Sequence, residues 1–437
     1  MLGWEYPPHI AGGLGTACEG LTKGLARQGT DVTFVVPRLF GDEQSAHMHL
    51  IEPKSSRPPA FALAGLANVD EPRSVDRVTV PAFLAPYWSE TEYEEHAGVL
   101  EAVGAASGPR GTTLYDEIKR PAQRGEAPQG AAHYGEDIFA EVSRYAYRVA
   151  SAIEGMNFDV VHAHDWMTYP AGIMVAELTG KPLVVHVHSI EHDRSGHRVN
   201  DRICGIEKMG CEKANAVIPV SHYTKSLIHN EYGIPTEKIH VVHNGIYAPK
   251  VVHHYRARET WPSPVVLFLG RITFQKGPDY FVRAAAKVIP HVPDVVFVMA
   301  GDGDMRPRMM ALAKELDIED HFRFPGFLNG ELVEEAFSVA NLYVMPSVSE
   351  PFGLSALEAV NFSIPALISK QSGVSEVLAN SLKFDFWDVD RLADLIINGL
   401  LHEEMRAEMT AMAKQELKHL HWDASAKKTV DVYKSVA

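Results

Sequence analysis

The chain lacks long apolar runs: its strongest stretches, such as Val265–Leu269 and Val295–Ala300, fall far short of the roughly 20 residues that cross a bilayer. It holds three cysteines, Cys18, Cys204 and Cys211, too sparse and too odd a set for a disulfide framework. It lacks a basic and then apolar opening of the secretory kind, since Met1 runs directly into an aromatic, proline-containing segment. Together these absences predict a cytoplasmic protein with no transmembrane segment. Positive charge is also in short supply, with 41 basic against 56 acidic residues and a net charge of −15. That balance argues against broad binding to nucleic acid or anionic lipid, and it requires any anionic substrate to meet a local cationic site.

The rest of the composition is that of a packed protein, 46% hydrophobic and 22% charged over 437 residues, a length that favours two domains. Short β-branched runs alternate with helical patterns, the signature of parallel sheets covered on both faces, so the fold class is α/β. In the first half the expected strands are Asp31–Val36, Arg77–Leu84, Val160–His164, Leu183–His188, Ala216–Val220 and Ile239–His243. Helices are expected over Gly15–Gln28, Glu136–Glu154, Thr168–Leu178 and Tyr223–Glu231. A second series has strands at Val265–Leu269, Val295–Ala300, Phe322–Phe324, Leu342–Met345 and Ala366–Ser369, with helices beginning at Pro278, Met305, Leu332, Gly353 and Val374. Gly245–Pro264 follows neither period and reads as the linker. The expected division is therefore 1–248 and 249–421, with a terminal helix over 422–437 that packs back on the first domain. Residues 101–134, rich in Gly, Ala, Pro, Arg and Glu, read as a long loop or insertion.

Four clusters could carry chemistry. Gly12-Gly13-Leu14-Gly15 precedes an amphipathic helix; glycine admits close backbone approach and a helix start offers N–H groups to phosphate, though a plain tight turn explains the motif equally well. His162-Ala163-His164-Asp165-Trp166 and Val185-His186-Val187-His188-Ser189 put polar residues at strand C-terminal ends, where α/β crevices open. Buried histidines bonded to backbone are the plain alternative there, and no zinc-type ligand spacing is present. Gly270-Arg271 through Lys276-Gly277 follows an apolar strand and supplies the local cationic site, Arg271 as a fork of donors and Lys276 as a point charge. Pro346 through Glu358 places Glu350 in a loop, Gly353 at a helix start and Glu358 about two turns in.

These residues resemble the retaining GT-B glycosyltransferases that include bacterial glycogen synthases and sucrose-phosphate synthases. The Gly-Arg-…-Lys-Gly element and the glutamates around Pro351-Phe352-Gly353 are specific to that class, and the first-half motifs resemble the glycogen and starch synthase pattern. The likeness covers nearly the whole chain except 101–134, and departs at the start, where such proteins usually carry more apolar residues ahead of the first strand. It implies two Rossmann-like domains facing across a cleft. It assigns Arg271 and Lys276 to the donor diphosphate, Glu350 to the donor sugar and Glu358 to the ribose. Phe352, Gly353 and Leu354 would meet sugar and phosphate through backbone, and Phe327 and Leu328 the nucleobase. His188 would line the reaction centre beside Asp165, with Gly12 and Gly13 against the phosphates.

The implied reaction moves a hexose, glucose first, from ADP- or UDP-glucose to a carbohydrate acceptor, releasing ADP or UDP. No cofactor and no metal are expected, because cations and helix amides already face the leaving phosphate. Retention by same-face attack or through a covalent intermediate are both open. Transfer to a small sugar phosphate is the nearest rival, and a sugar-nucleotide-binding regulator without turnover a rival of another class.

Overall fold

The computed structural model describes residues 1–8, 13–39, 43, 45–53, 138–196, 198–247, 262–328 and 330–437. Gly12, the strand expected at Arg77–Leu84, the loop at 101–134 and most of the expected linker, 248–261, lie outside the described residues.

In the first half, helix α1 (Gly13–Arg27) precedes strands β1 (Thr33–Val35) and β2 (His49–Ile51). Then come α2 (Ile138–Ala152), β3 (Val161–His164), α3 (Tyr169–Thr179), β4 (Leu183–Val187), α4 (Glu191–Ser195), α5 (Asp201–Lys213), β5 (Ala216–Pro219) and α6 (His222–Tyr232). β1 pairs with β2, and β4 with β3 and β5, all in parallel. Residues 1–3 join the two groups: Leu2 pairs with both Val35 and Ala163, donating to the His162 carbonyl at 2.7 Å and accepting from His164 N–H at 3.0 Å. β1 and β2 therefore lie on one side of the first segment and β3 to β5 on the other. The loops that leave residue 3 and β3 diverge at this switch point and open a crevice. The strand expected over Ile239–His243 is reduced to a bridge between Ile239 and Val217 at the far edge, with Val242 N–H still reaching the Pro219 carbonyl at 3.1 Å.

The second half runs β6 (Val265–Leu269), α7 (Pro278–Val288), β7 (Val296–Ala300), α8 (Arg306–Glu315), β8 (Phe322–Gly326), α9 (Glu331–Val339) and β9 (Leu342–Met345). It continues with α10 (Leu354–Asn361), β10 (Ala366–Ser369), β11 (Leu382–Phe384), α11 (Val389–Leu401), α12 (Glu403–Leu417) and α13 (Trp422–Val436). The sheet order is β11-β10-β9-β6-β7-β8, parallel throughout, with one apolar cluster on each face. Its switch point lies between β6 and β9. The helix expected to begin at Val374 is instead a single 3₁₀ turn, Gly373–Glu376, because the N–H groups of Ala379 and Asn380, which would continue a helix, donate to the Glu416 carboxylate at 3.0 and 3.2 Å.

Helix α13 returns to the first half. Trp422 and Ala426 join Leu14, Cys18, Leu21 and Leu25 of α1 in one buried cluster. Gly20 and Gly24 allow the approach, since a Cβ at Gly20 would stand 2.1 Å from the Trp422 ring and one at Gly24 2.7 Å from the Trp422 carbonyl. Among the described residues no helix is long and apolar enough to cross a membrane.

Candidate active site

The turn after β6 and the loop after β9 leave the second sheet on either side of its switch point and come together over it. Gly277 has φ 60°, and a Cβ there would lie 2.2 Å from the Pro346 carbonyl, so only glycine permits the contact between the two segments. The Gln275 carbonyl then accepts the Val348 N–H at 2.9 Å. The result is an ion pair between Lys276 Nζ and Glu350 Oε2 at 2.5 Å, with the Ser347 hydroxyl donating to the same oxygen at 3.1 Å. Arg271 donates to Gln275 Oε1 at 2.9 Å, which places its guanidinium one residue from Lys276.

Past Glu350, Phe352 is buried and Gly353, at φ 107°, opens α10. The first N–H groups of α10, from Leu354 onward, have no partner within the helix and carry its positive dipole end. Glu358 follows one turn in, half-buried, and burial pushes its carboxyl up to about 7. The ends of β6, β7 and β8 are laced by Gly270 N–H to Ala300 at 3.0 Å and Gly301 N–H to Gly326 at 2.7 Å. This sets Phe327, exposed, and Leu328, buried, at the same end of the sheet as Arg271.

The facing wall belongs to the first half. A Cβ on Gly13 would stand 3.7 Å from Leu354 Cδ1, so the start of α1 opposes the start of α10. Glu5 Oε1 accepts the Gly15 N–H at 2.9 Å and steadies the first turn of α1. At the first sheet's switch point Asp165 adopts φ 59°, its N–H donating to the His186 carbonyl at 3.0 Å and its Oδ1 accepting the His188 N–H at 2.7 Å. Burial raises the Asp165 carboxyl to about 7. Asp165 thus holds the end of β4, and with it His188, through the backbone.

Alternation along β3 and β4 puts His162, His164, His186 and His188 on one face. Neighbouring rings stack at 4.3 to 5.3 Å, and His164 Nδ1 lies 2.9 Å from His188 Nε2. Burial drives all four well below the ordinary imidazole range, His186 to about 3. Burial thus favours the neutral form of each ring. His162, His164 and His186, and separately Cys18, His164 and His188, bring possible ligand atoms within 4.8 Å of one another. The ring nitrogens of His164 and His188 face each other at hydrogen-bond distance, and burial keeps the Cys18 thiol well above its usual range, which disfavours the thiolate a metal would need from it.

Several residues that frame the site escape the sequence motifs. Arg194 of α4 is fully enclosed, donating to Glu191 at 3.1 Å, Glu207 at 2.6 Å and Ser189 at 2.8 Å. This buried ion triad pins the segment after His188, and removing one member of such a set typically costs about 3–5 kcal/mol. Asp193, Tyr223 and Ser349 meet between the halves. The available signal was the run Glu191-His192-Asp193-Arg194 directly after a buried strand, a density of charge that needs partners.

Two parallel α/β sheets, each with a crevice at its switch point and the crevices opposed, form the GT-B architecture. Comparison with known proteins agrees: residues 105–248 match the family model described as Glycosyltransferase Family 4, and residues 255–416 match Glycosyl transferases group 1. An uncharacterized glycosyltransferase of Methanocaldococcus jannaschii is 28% identical over 99% of this chain and 97% of its own length. A glycogen synthase of Mycobacterium tuberculosis is 24% identical over 99% of this chain and 93% of its own. Sucrose-phosphate synthase from Thermosynechococcus elongatus has a similar fold, TM-score 0.71 at 18% identity, covering 99% of this chain and 97% of that one. The chain belongs to the GT-B glycosyltransferases, its two halves matching Glycosyltransferase Family 4 and Glycosyl transferases group 1, and is a hexosyltransferase.

Proposed function

We propose that this enzyme is a retaining glucosyltransferase that moves glucose from ADP- or UDP-glucose to a carbohydrate acceptor, in the manner of a glycogen synthase. The observation that carries the reading is the Lys276–Glu350 pair, 2.5 Å apart, at the switch point of the second sheet and beside the start of α10. Breaking the bond from the anomeric carbon to the diphosphate builds negative charge on the departing oxygens and positive charge on the sugar. Lys276, Arg271 and the N–H groups of α10 stabilise the first, a preorganised role that needs no metal. Glu350 accepts hydroxyls of the donor sugar and Glu358 those of the ribose, while backbone at Phe327 and Leu328 meets the base. His188 closes the site from the first half with Asp165 behind it, and Gly13 leaves room for phosphate against α1. In same-face attack the leaving phosphate takes the proton of the acceptor hydroxyl. The sparse cysteines favour a cytoplasmic setting.

The test is a transfer assay with ADP-glucose, UDP-glucose and GDP-mannose against glycogen, small sugars and sugar phosphates, run in excess chelator. Glucosyl transfer with the donor's α configuration kept in the product is expected. Inverted product, or activity that vanishes in chelator and returns with a divalent ion, would defeat the mechanism. Preference for a sugar phosphate would move the acceptor reading toward sucrose-phosphate synthesis.

A further inference from the structure

The loop that carries Glu350 is held on both flanks by residues of the other half of the molecule. On one side the Ser349 hydroxyl lies 2.5 Å from Asp193 Oδ1 and 2.9 Å from the Tyr223 hydroxyl. The Asp193 carboxylate can only accept, so Ser349 donates to it and accepts from Tyr223, giving a directed chain from Tyr223 through Ser349 to Asp193. Asp193 is itself fixed by the Ile190 N–H on its other oxygen at 2.9 Å. On the other side, the Pro351 carbonyl accepts from the hydroxyls of Ser221 at 2.6 Å and Thr224 at 3.3 Å.

The same helix start makes a second attachment. The N–H groups of His222 and Tyr223, at the open N-terminus of α6, donate to Glu376 of the second half at 3.0 and 2.6 Å, and His243 Nε2 reaches that carboxylate at 2.9 Å. A helix end whose N–H groups need partners is thus completed by a carboxylate from across the cleft. Within the second half, among the described residues, the backbone of Glu350 bonds to the neighbouring loop, through Gln371 and Gly373, each at 2.9 Å.

We propose that Asp193 and Tyr223 are positioning residues for the donor-sugar site, holding Ser349 so that Glu350 takes its place against Lys276 only when the two halves are closed on each other. This rests on the reading of Glu350 as the ligand of the donor sugar. None of these three residues touches the donor in that reading; they act by fixing the turn that presents Glu350.

The test compares the full-length wild type with Ser349→Ala, Ser349→Thr and Tyr223→Phe. Hydrogen exchange over peptides spanning 347–353, in the free protein, is the first measurement, and the donor KM the second. Ser349→Ala should exchange about tenfold faster in that segment, the scale of one charge-assisted hydrogen bond lost, and raise the donor KM by a similar factor while the acceptor KM stays put. Ser349→Thr, which keeps the hydroxyl, should restore both, and Tyr223→Phe should fall between. Wild-type exchange in Ser349→Ala overturns the proposal whatever the transfer assay reads. A Glu350→Ala protein that transfers sugar at the wild-type rate overturns instead the donor reading beneath it.

Discussion

Lys276 and Glu350 already neutralise each other before a donor arrives, one Oε2 serving both Nζ at 2.5 Å and the Ser347 hydroxyl at 3.1 Å. That leaves the second carboxylate oxygen for a sugar hydroxyl and the remaining ammonium protons for a phosphate, so the pair is both a clamp and a preset charge pattern. Either side chain alone lacks this. Lys276→Ala and Glu350→Ala should each lower turnover on the order of 10²-fold, the scale of one preorganised contact removed, while the folded state persists because both lie in loops above the core. Steady-state kinetics beside thermal unfolding check this; near wild-type turnover in both variants would remove the donor-site assignment. Both residues were legible in the sequence, since each sits in a Gly- or Pro-marked turn directly after an apolar strand. Asp193, Tyr223 and Ser349 were not, because what joins them is an approach between residues 156 positions apart at the widest, and no local pattern records it.

At the level of elements, β4 reads directly from Leu183–Val187 because all five residues are buried. By contrast β2 and β11 have three residues each and lie at sheet edges, too short to show a period. The turn at Val374 has helical apolar spacing but stops after one turn, because the N–H groups of Ala379 and Asn380 go to Glu416, a distant residue that no local pattern records. The histidine layer on β3 and β4 brings a further consequence. With burial holding His186 at about 3 against 6.5 for the free side chain, the unfolded chain takes up the proton that the folded one refuses. Its contribution to stability is whole above pH 6.5 and is lost as pH falls from there toward 3. Replacing His186 by Phe, which keeps a flat ring in the stack, should therefore move the acid-unfolding midpoint to lower pH, followed by circular dichroism. A midpoint shifted to higher pH, or unmoved, would show that the ring is not held neutral by burial.

On the scale of the whole molecule, the chain crosses between halves twice, and the crossings lie side by side: Ile246 pairs with His421, and its N–H reaches the Leu420 carbonyl at 2.7 Å. After the second crossing α13 is anchored to the first half by Trp422 and Ala426 against α1, by Ser425 donating to the His243 carbonyl at 2.6 Å, and by Tyr433 to His162 Nδ1 at 2.5 Å. His243 also reaches Glu376 of the second half, so the helix seat and the closing contact share one residue's backbone and side chain. Loss of α13 should then disturb how the halves meet, and with it the Asp193–Ser349 contact that presents Glu350, while the turn carrying Arg271 and Lys276 stays fastened by Gln275 and Gly277 within the second half. Deleting residues from Trp422 onward, or wedging the seat with Gly24→Leu, should cut turnover by about tenfold or more, as expected when closure limits the reaction. Binding of ADP or UDP, which lack the sugar that Glu350 meets, should change far less when read by calorimetry. Full turnover in both variants, or an equal loss of nucleotide affinity and turnover, would mean that the terminal helix does not couple its packing to closure.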